Sequence, residues 1–265
     1  MRRRPQKSIK LKSEKTEENV CVNKTVFIGD IHGDFDFVEA IDNQYTGWKK
    51  VFVGDYVDSH HWSPQHSVQC VNHILQMVER GDTVALAGNH ELSYLFEGNR
   101  CSGWNSTTEM LLFPLRSKMF QLLNYWKWYP EHKILVTHGG ITLPLWKAEG
   151  LTTDNLEQKL TEWKREDIRD SKFGWVGNSR GGVRPYGGPF WCDFDQDFQP
   201  VFGITQIFGH TPHRTIKQVG SNYDINQLEM IATREVLEFV DGTFQTAKYQ
   251  VQWEDGRQQF SLVKL

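Results

Sequence analysis

Eight residues of this chain have types and spacings that could do chemistry together: Asp30, His32, Asp55, Asp58, Asn89, His90, His138 and His210. They sit at the ends of five short apolar runs, "KTVFIGDIHG", "KKVFVGDYVD", "DTVALAGNHE", "HKILVTHGG" and "ITQIFGHTP". Asp30 and His32 are two apart, a spacing that on an extended strand points both side chains the same way. A carboxylate and an imidazole on one face make half of a divalent-metal site. Asp55 can use both oxygens and bridge two ions, Asn89 adds a neutral oxygen, and His138 and His210 add nitrogen. Such a mixed set suits Mn2+, Fe or Zn2+ better than the all-oxygen shell of Ca2+. Two ions about 3.5–4 Å apart lower the pKa of a shared water and steady both oxygens of an in-line displacement. The substrate that fits is a phosphate ester. His90, adjacent to a ligand but not needed as one, is free to protonate the leaving group, with Asp58 orienting it. Any single Gly-Asp is more often a turn, and a lone His after a strand is more often core or surface. Five ends in order, all carrying suitable donors, carry the reading.

The runs themselves are apolar and β-branched, as in strands covered on both faces. Between them lie helical crossovers. Ser63 is an N-cap with Pro64 at N1, Val68, Val71, Leu75 and Val78 recur at helical spacing, and Gly81 closes the segment. Phe37, Val38 and Ile41 mark a shorter helix, Glu109 to Trp128 another bent near Pro114, and Leu156, Leu160 and Trp163 one that starts near Asp154. Strand, crossover, strand implies parallel neighbours, whose carboxyl ends share one cleft. From residues alone this is an α/β chain with a single parallel sheet. Beyond His210, "VLEFVDGTFQTAKYQV" and "WEDGRQQFSLV" alternate around Asp-Gly and read as antiparallel hairpins. The Gly- and Arg-rich stretch 173–188 reads as a long surface loop.

With 265 residues the chain is long enough for a sizeable core, and a net charge of −3 does not point to a whole-protein nucleic-acid binder. Cys21, Cys70, Cys101 and Cys192 lie far apart without a C-x-x-C pair, which favours a reducing, cytoplasmic setting over disulfides or a zinc ribbon. No apolar run approaches a membrane span, so no membrane partner is expected. Residues 1–23 form a basic arm that turns acidic, read as a flexible extension before a single domain over 24–265. A patch gripping nucleic-acid phosphates is its alternative.

The blocks "GDIHG" (29–33), "GDYVD" (54–58), "GNHE" (88–91), "THGG" (137–140) and "GHTP" (209–212) resemble the calcineurin-like metallophosphoesterase superfamily, in its Ser/Thr protein phosphatase-like branch with bacterial and phage relatives. The resemblance spans about residues 25–245. It implies an α/β metallophosphoesterase fold, a β-sandwich of two mixed sheets flanked by helices, in place of the single sheet. It also implies two divalent ions, manganese first with Fe or Zn2+ as alternatives. Asp30, His32 and Asp55 would surround one, and Asp55, Asn89, His138 and His210 the other, with His90 as the acid paired with Asp58. One departure stands out. That branch continues "GDYVD" with a phosphate-gripping Arg, where this chain has Ser59 in "GDYVDSHH". A hydroxyl cannot replace a bidentate cation. Arg180, first, then Arg184 and Arg100 are the candidates to supply the charge. His60, His61 and His213 read as non-ligands, and Trp191 in "FWCDF" as packing.

The leading function is a two-metal phosphoesterase acting on phosphomonoesters, a phosphoprotein before other substrates. The missing Arg keeps a nucleotide in view, as a diadenosine tetraphosphatase or cyclic nucleotide phosphodiesterase-like hydrolase. The remaining alternatives are a non-catalytic binding module and nucleic-acid processing directed by the basic arm.

Overall fold

The computed structural model describes residues 24–263. The basic arm, with Cys21, lies outside the described residues. In chain order the elements begin β1 (Lys24–Ile28), α1 (Phe35–Gln44), β2 (Lys49–Phe52), α2 (Pro64–Arg80), β3 (Thr83–Ala85) and α3 (Asn89–Leu95). There follow α4 (Ser106–Leu112), α5 (Arg116–Leu122), β4 (Trp126–Tyr129), β5 (Ile134–Thr137), α6 (Leu143–Ala148) and α7 (Leu156–Arg165). The last are β6 (Thr205–Phe208), β7 (Lys217–Val219), β8 (Asn222–Asp224), β9 (Thr233–Val240), β10 (Thr243–Glu254) and β11 (Arg257–Leu262).

The strands make two mixed sheets, as the family resemblance implies, and not the single parallel sheet that the residues alone suggest. Six strands run in the order β11-β10-β9-β1-β2-β3 and five in the order β4-β5-β6-β8-β7. The pairs β1–β2, β2–β3, β5–β6 and β6–β8 are parallel, while β9–β1, β9–β10, β10–β11, β4–β5 and β7–β8 are antiparallel. Strand alternation explains the layering. Phe27, Val51, Leu237 and Phe239 from the first sheet meet Ile134, Val136 and Ile207 from the second in a core between the sheets. Val26, Ile28 and Phe52 point the other way, into a core shared with Val38 and Ile41 of α1 and Val71, Ile74 and Leu75 of α2. The central strands β1 and β2 are therefore apolar at successive positions because both of their faces are covered.

Local signals place most elements where the sequence suggests. Helix α2 starts after Ser63 with Pro64 at N1 and ends on Gly81 at φ 85°, the left-handed cap that glycine adopts without steric penalty. The Ser63 hydroxyl, though, pairs with His66 Nδ1 at 2.9 Å instead of capping the helix. Both Asp-Gly hairpins form, with Asp241 and Gly242 at φ 49° and 86°, and Asp255 and Gly256 at 47° and 78°, as a two-residue turn with positive φ requires.

Two readings need correction. The helix expected to reach Trp128 stops at Leu122, and "WKWY" becomes β4 against β5, because its aromatics gain more from pairing and half-burial than from helix propensity. The stretch 173–188 is no free surface loop: Phe173 is fully buried. A Cβ added to Gly174 would come within 1.8 Å of Ile168 O, and one on Gly188 within 1.7 Å of Lys172 O. Gly174, Gly177, Gly182, Gly187 and Gly188 serve close backbone packing. Among the described residues, no helix is long and apolar enough to cross a membrane, and Cys70, Cys101 and Cys192 are free thiols.

Candidate active site

Asp30, His32, Asp55, Asp58, Asn89, His90, His138 and His210 come together at the carboxyl ends of β1, β2, β3, β5 and β6. Asp30 and His32 lie beyond β1, which ends at Ile28, so strand alternation does not orient them; the chain turns at His32 and Gly33. Ile31 N and His32 N both donate to Asp55 O, at 2.9 and 2.8 Å, and Gly33 N donates to Tyr56 O at 2.9 Å. His32, Asp55, Asp58 and His210 all have positive φ, at 45°, 52°, 63° and 73°. Non-glycine residues rarely adopt that region, and it tends to cluster where surrounding structure imposes a functional geometry. The glycines before Asn89 and His210 make room. A Cβ on Gly88 would stand 2.1 Å from Asp55 Oδ1, and one on Gly209 2.2 Å from Asp30 Oδ1.

Glu91, fully buried, locks two of these loops together. Its Oε2 accepts from Asp55 N and Gly88 N, each at 2.8 Å, and its Oε1 accepts from Tyr56 N at 2.7 Å. Sequence reasoning passed over it as the last letter of "GNHE". Its place three residues past the Gly88 N-cap of α3 was the available signal, because a Glu there reaches back to the cap's N–H.

Asp55 is the hub. Its Oδ2 lies 3.2 Å from His138 Nε2 and 3.9 Å from both His32 Nε2 and His90 Nε2. Backbone carbonyls fix two of these rings from behind: His32 Nδ1 meets Val57 O at 2.9 Å, and His138 Nδ1 meets Val53 O at 3.0 Å. Each Nε2 is thereby left facing the cluster. Asn89 Oδ1 approaches His138 Nε2 at 2.9 Å. The Asp30 carboxylate accepts from His210 N at 3.1 Å, and the His210 ring lies 5.2 Å from that of His138. His90 Nδ1 meets Asp58 Oδ2 at 3.0 Å, and His90 N donates to Asp55 Oδ1 at 3.0 Å.

Burial works against charge on every one of these groups, and their neighbours decide the outcome. For Asp55, burial raises the pKa but His138 and His90 prevail and hold it well below the usual carboxylate range. Burial and the nearby Asp55 leave Asp30 raised, despite His138. Burial is outweighed at His138 by Asp55, which lifts the imidazole to about 9. His90 is likewise raised, against burial, by Asp55 and Asp58. Burial and the neighbouring His138 push His210 down.

The three arginines separate. Arg180 Nε lies 2.9 Å from Asp193 Oδ2, and its Nη2 donates to Thr211 Oγ1 at 3.0 Å, which ties the guanidinium to the residue after His210. Arg184 stacks over Trp175 at 4.6 Å. Arg100 stacks over Trp104 at 3.5 Å, with Glu109 3.9 Å away. His60 and His61 are exposed. His213 Nε2 lies 3.4 Å from the buried Asp224, and Trp191 packs edge-on against His210 at 5.7 Å. Ser59 Oγ donates to Glu229 and accepts from His61 N and Trp62 N, each at 2.9 Å. Glu229, Tyr94 and Cys101 had no motif to announce them. Tyr94 OH donates to Asp58 Oδ1, and the Cys101 sulfur lies within 4.8 Å of ligand atoms of both Asp58 and His90.

The donor set fits divalent transition ions. One ligand atom each from Asp55, His138 and His210 lies within 4.8 Å of the others, as do atoms from His32, Asp55 and His90. Two oxygens, from Asn89 and Asp55, converge on the single Nε2 of His138. The buried His210 Nε2 has no hydrogen-bond partner. A buried ring nitrogen without a partner is unfavourable unless something else uses its lone pair, and a cation would do so.

A family model for calcineurin-like phosphoesterase matches residues 24–214. Among solved structures, the chain is similar to a protein serine/threonine phosphatase from Saccharomyces cerevisiae with similarity to human phosphatase PP5. That likeness has 15% identity over 91% of this chain and 84% of that chain, with a TM-score of 0.49. It is also similar to a metallophosphoesterase from Sphaerobacter thermophilus, at 14% identity over 87% of this chain and 89% of that one, TM-score 0.45. A third likeness is to Yfce, a phosphoesterase from E. coli, at 13% identity over 91% and 98% of the two chains, TM-score 0.38. No curated protein matches the chain. The family model spans well over half of the chain and covers every one of the converging strand ends, so the chain belongs to the calcineurin-like phosphoesterase family and is a metal-dependent phosphoesterase hydrolase.

Proposed function

We propose that this chain is a dinuclear phosphoesterase that hydrolyses phosphomonoesters, with phosphorylated Ser and Thr of proteins as its leading substrate class. The observation that carries the proposal is the convergence of three imidazole Nε2 atoms on Asp55 Oδ2 beside a His90–Asp58 pair. Asp30, His32 and Asp55 would hold one ion, and Asp55, Asn89, His138 and His210 the other. When bound, the ions neutralise phosphate oxygens and lower the pKa of water. Asp58 accepts the Nδ1–H of His90, which leaves Nε2 to hand a proton to the departing oxygen. The raised pKa of His90 suits a donor, since it keeps the ring protonated at neutral pH. Arg180, bonded to Thr211 next to His210, is the arginine assigned here to add positive charge.

The test is a Mn2+-reconstituted panel of phosphopeptide, diadenosine tetraphosphate, 2′,3′-cyclic nucleotide and an aryl phosphate. Phosphopeptide turnover should lead, and His90→Ala should abolish most of it. A phosphopeptide rate far below all others defeats the substrate assignment, and full activity in His90→Ala defeats the mechanism.

One observation favours the nucleotide reading. At the position where the resemblance implies a phosphate-gripping Arg, Ser59 is bonded to the carboxylate of Glu229. That carboxylate repels a phosphate dianion but can accept a hydrogen bond from a ribose hydroxyl or a base N–H. Trp62 abuts the same turn, with its Cβ 3.0 Å from where a Cβ on Gly33 would stand, and stacks on the half-exposed Trp253 at 5.8 Å. Such surfaces bind bases. On this reading, Glu229→Gln raises the phosphopeptide rate relative to the dinucleotide rate. An unchanged ratio removes the support.

A further inference from the structure

The Asp58 carboxylate is engaged at both oxygens. Oδ2 meets His90 Nδ1 at 3.0 Å, and Oδ1 accepts the phenolic hydrogen of Tyr94. Among the described residues, these are the two groups that hydrogen-bond it. His90 and Tyr94 lie four residues apart on α3, so they fall on the same face of the helix. Asp58 comes from the loop after β2 and is clasped between them. The phenol has little freedom: Tyr94 is 5% exposed, and its oxygen accepts from Asn105 N at 3.3 Å. Asp58 is also closely packed by backbone, since a Cβ on Gly103 would stand 2.9 Å from Asp58 Cβ.

Left with His90 alone, a carboxylate can turn about its own axis and offer either oxygen in several directions. A buried O–H aimed at Oδ1 removes that freedom. We propose that Tyr94 is a positioning residue for proton donation, an inference that rests on the reading of His90 as the acid. Its hydrogen bond fixes the plane of Asp58, Asp58 then holds the Nδ1–H of His90, and Nε2 stays turned toward the leaving oxygen. Tyr94 keeps its own proton throughout, since burial and the bond to Asp58 push its pKa up. The proton that leaves is the one on His90 Nε2.

Tyr94→Phe keeps the ring and removes the bond. General acids contribute about 10²–10⁴-fold, most for leaving groups too basic to depart unaided. Loss of positioning forfeits part of this. The variant should lose about tenfold in kcat on an alkyl phosphate and less than about threefold on p-nitrophenyl phosphate, with KM unchanged. In a His90→Ala background, the same substitution should add nothing, because its effect passes through His90. Tyr94→Met, which also removes the hydroxyl and keeps a large apolar side chain, should give the same selective loss and serves as the probe if Tyr94→Phe does not fold. Equal losses on both substrates, an additive loss in the His90→Ala background, or no loss at all overturns the proposal. If the unsubstituted protein turns over neither substrate, it is the phosphoesterase reading that fails.

Discussion

Glu91 offers a quantitative test of how the site is held, because it touches no substrate and works through backbone alone. Three backbone N–H groups, of Asp55, Tyr56 and Gly88, point at its carboxylate from 2.7–2.8 Å in a fully buried setting. Glu91→Ala leaves all three without an acceptor and too deep for water. Each buried, unsatisfied donor costs about 1–3 kcal/mol, which puts the loss at about 3–9 kcal/mol. A domain is stable by only about 5–15 kcal/mol, so the variant should be largely unfolded or close to it. Glu91→Gln is milder. Its single oxygen can serve the two amides now shared by Oε2, while its NH2 faces the Tyr56 N–H, for a loss of about 1–3 kcal/mol. Urea unfolding of the metal-free proteins, followed by tryptophan fluorescence, gives both numbers. Should Glu91→Ala lie within about 1 kcal/mol of the parent, the three bonds are not what joins the β2 and β3 loops, and the reasoning fails.

Two further outcomes follow from the geometry of the cluster. Gly209→Ala places a methyl 2.2 Å from Asp30 Oδ1 at a residue with no unusual φ. It should displace Asp30, lower metal content from two ions toward one and destabilise the fold by about 1–3 kcal/mol; an unchanged metal count contradicts this. Burial opposes protonation of His138, but Asp55 raises it to about 9. A raised folded pKa means the proton stabilises the metal-free fold at low pH and is lost as pH rises through 9. An ion needs the neutral ring, so metal affinity should rise about tenfold per pH unit from 7 to 9 and then level off. A flat profile in a Mn2+ fluorescence titration argues against His138 as a ligand.

Much of this site was legible because its candidate ligands sit beside glycines at the ends of apolar strands. That arrangement leaves the same mark in sequence as in space. Gly88 and Gly209 stand where a Cβ would strike Asp55 and Asp30, so their presence in "GNHE" and "GHTP" is steric. Helix α2 was legible from Pro64 and Gly81, whose backbone preferences act locally. What was not legible depends on contacts distant in the chain. The two-sheet division hangs on β4 and on the short β7 and β8, whose three to four residues carry little periodicity. The turn that carries His32 is held by bonds to Asp55 O, not by strand pairing. Arg180 beside Thr211, Glu229 beside Ser59 and Tyr94 beside Asp58 join parts of the chain 31, 170 and 36 residues apart. No local pattern encodes such pairs.

The claim on which the account turns is that Asp55 is shared between two cations. Metal-free protein incubated with excess Mn2+, freed of unbound ion and analysed by plasma mass spectrometry, should hold two ions per chain. Asp55→Ala, measured alongside, should hold none tightly. A single ion per chain in the unsubstituted protein, or two retained in Asp55→Ala, would contradict it.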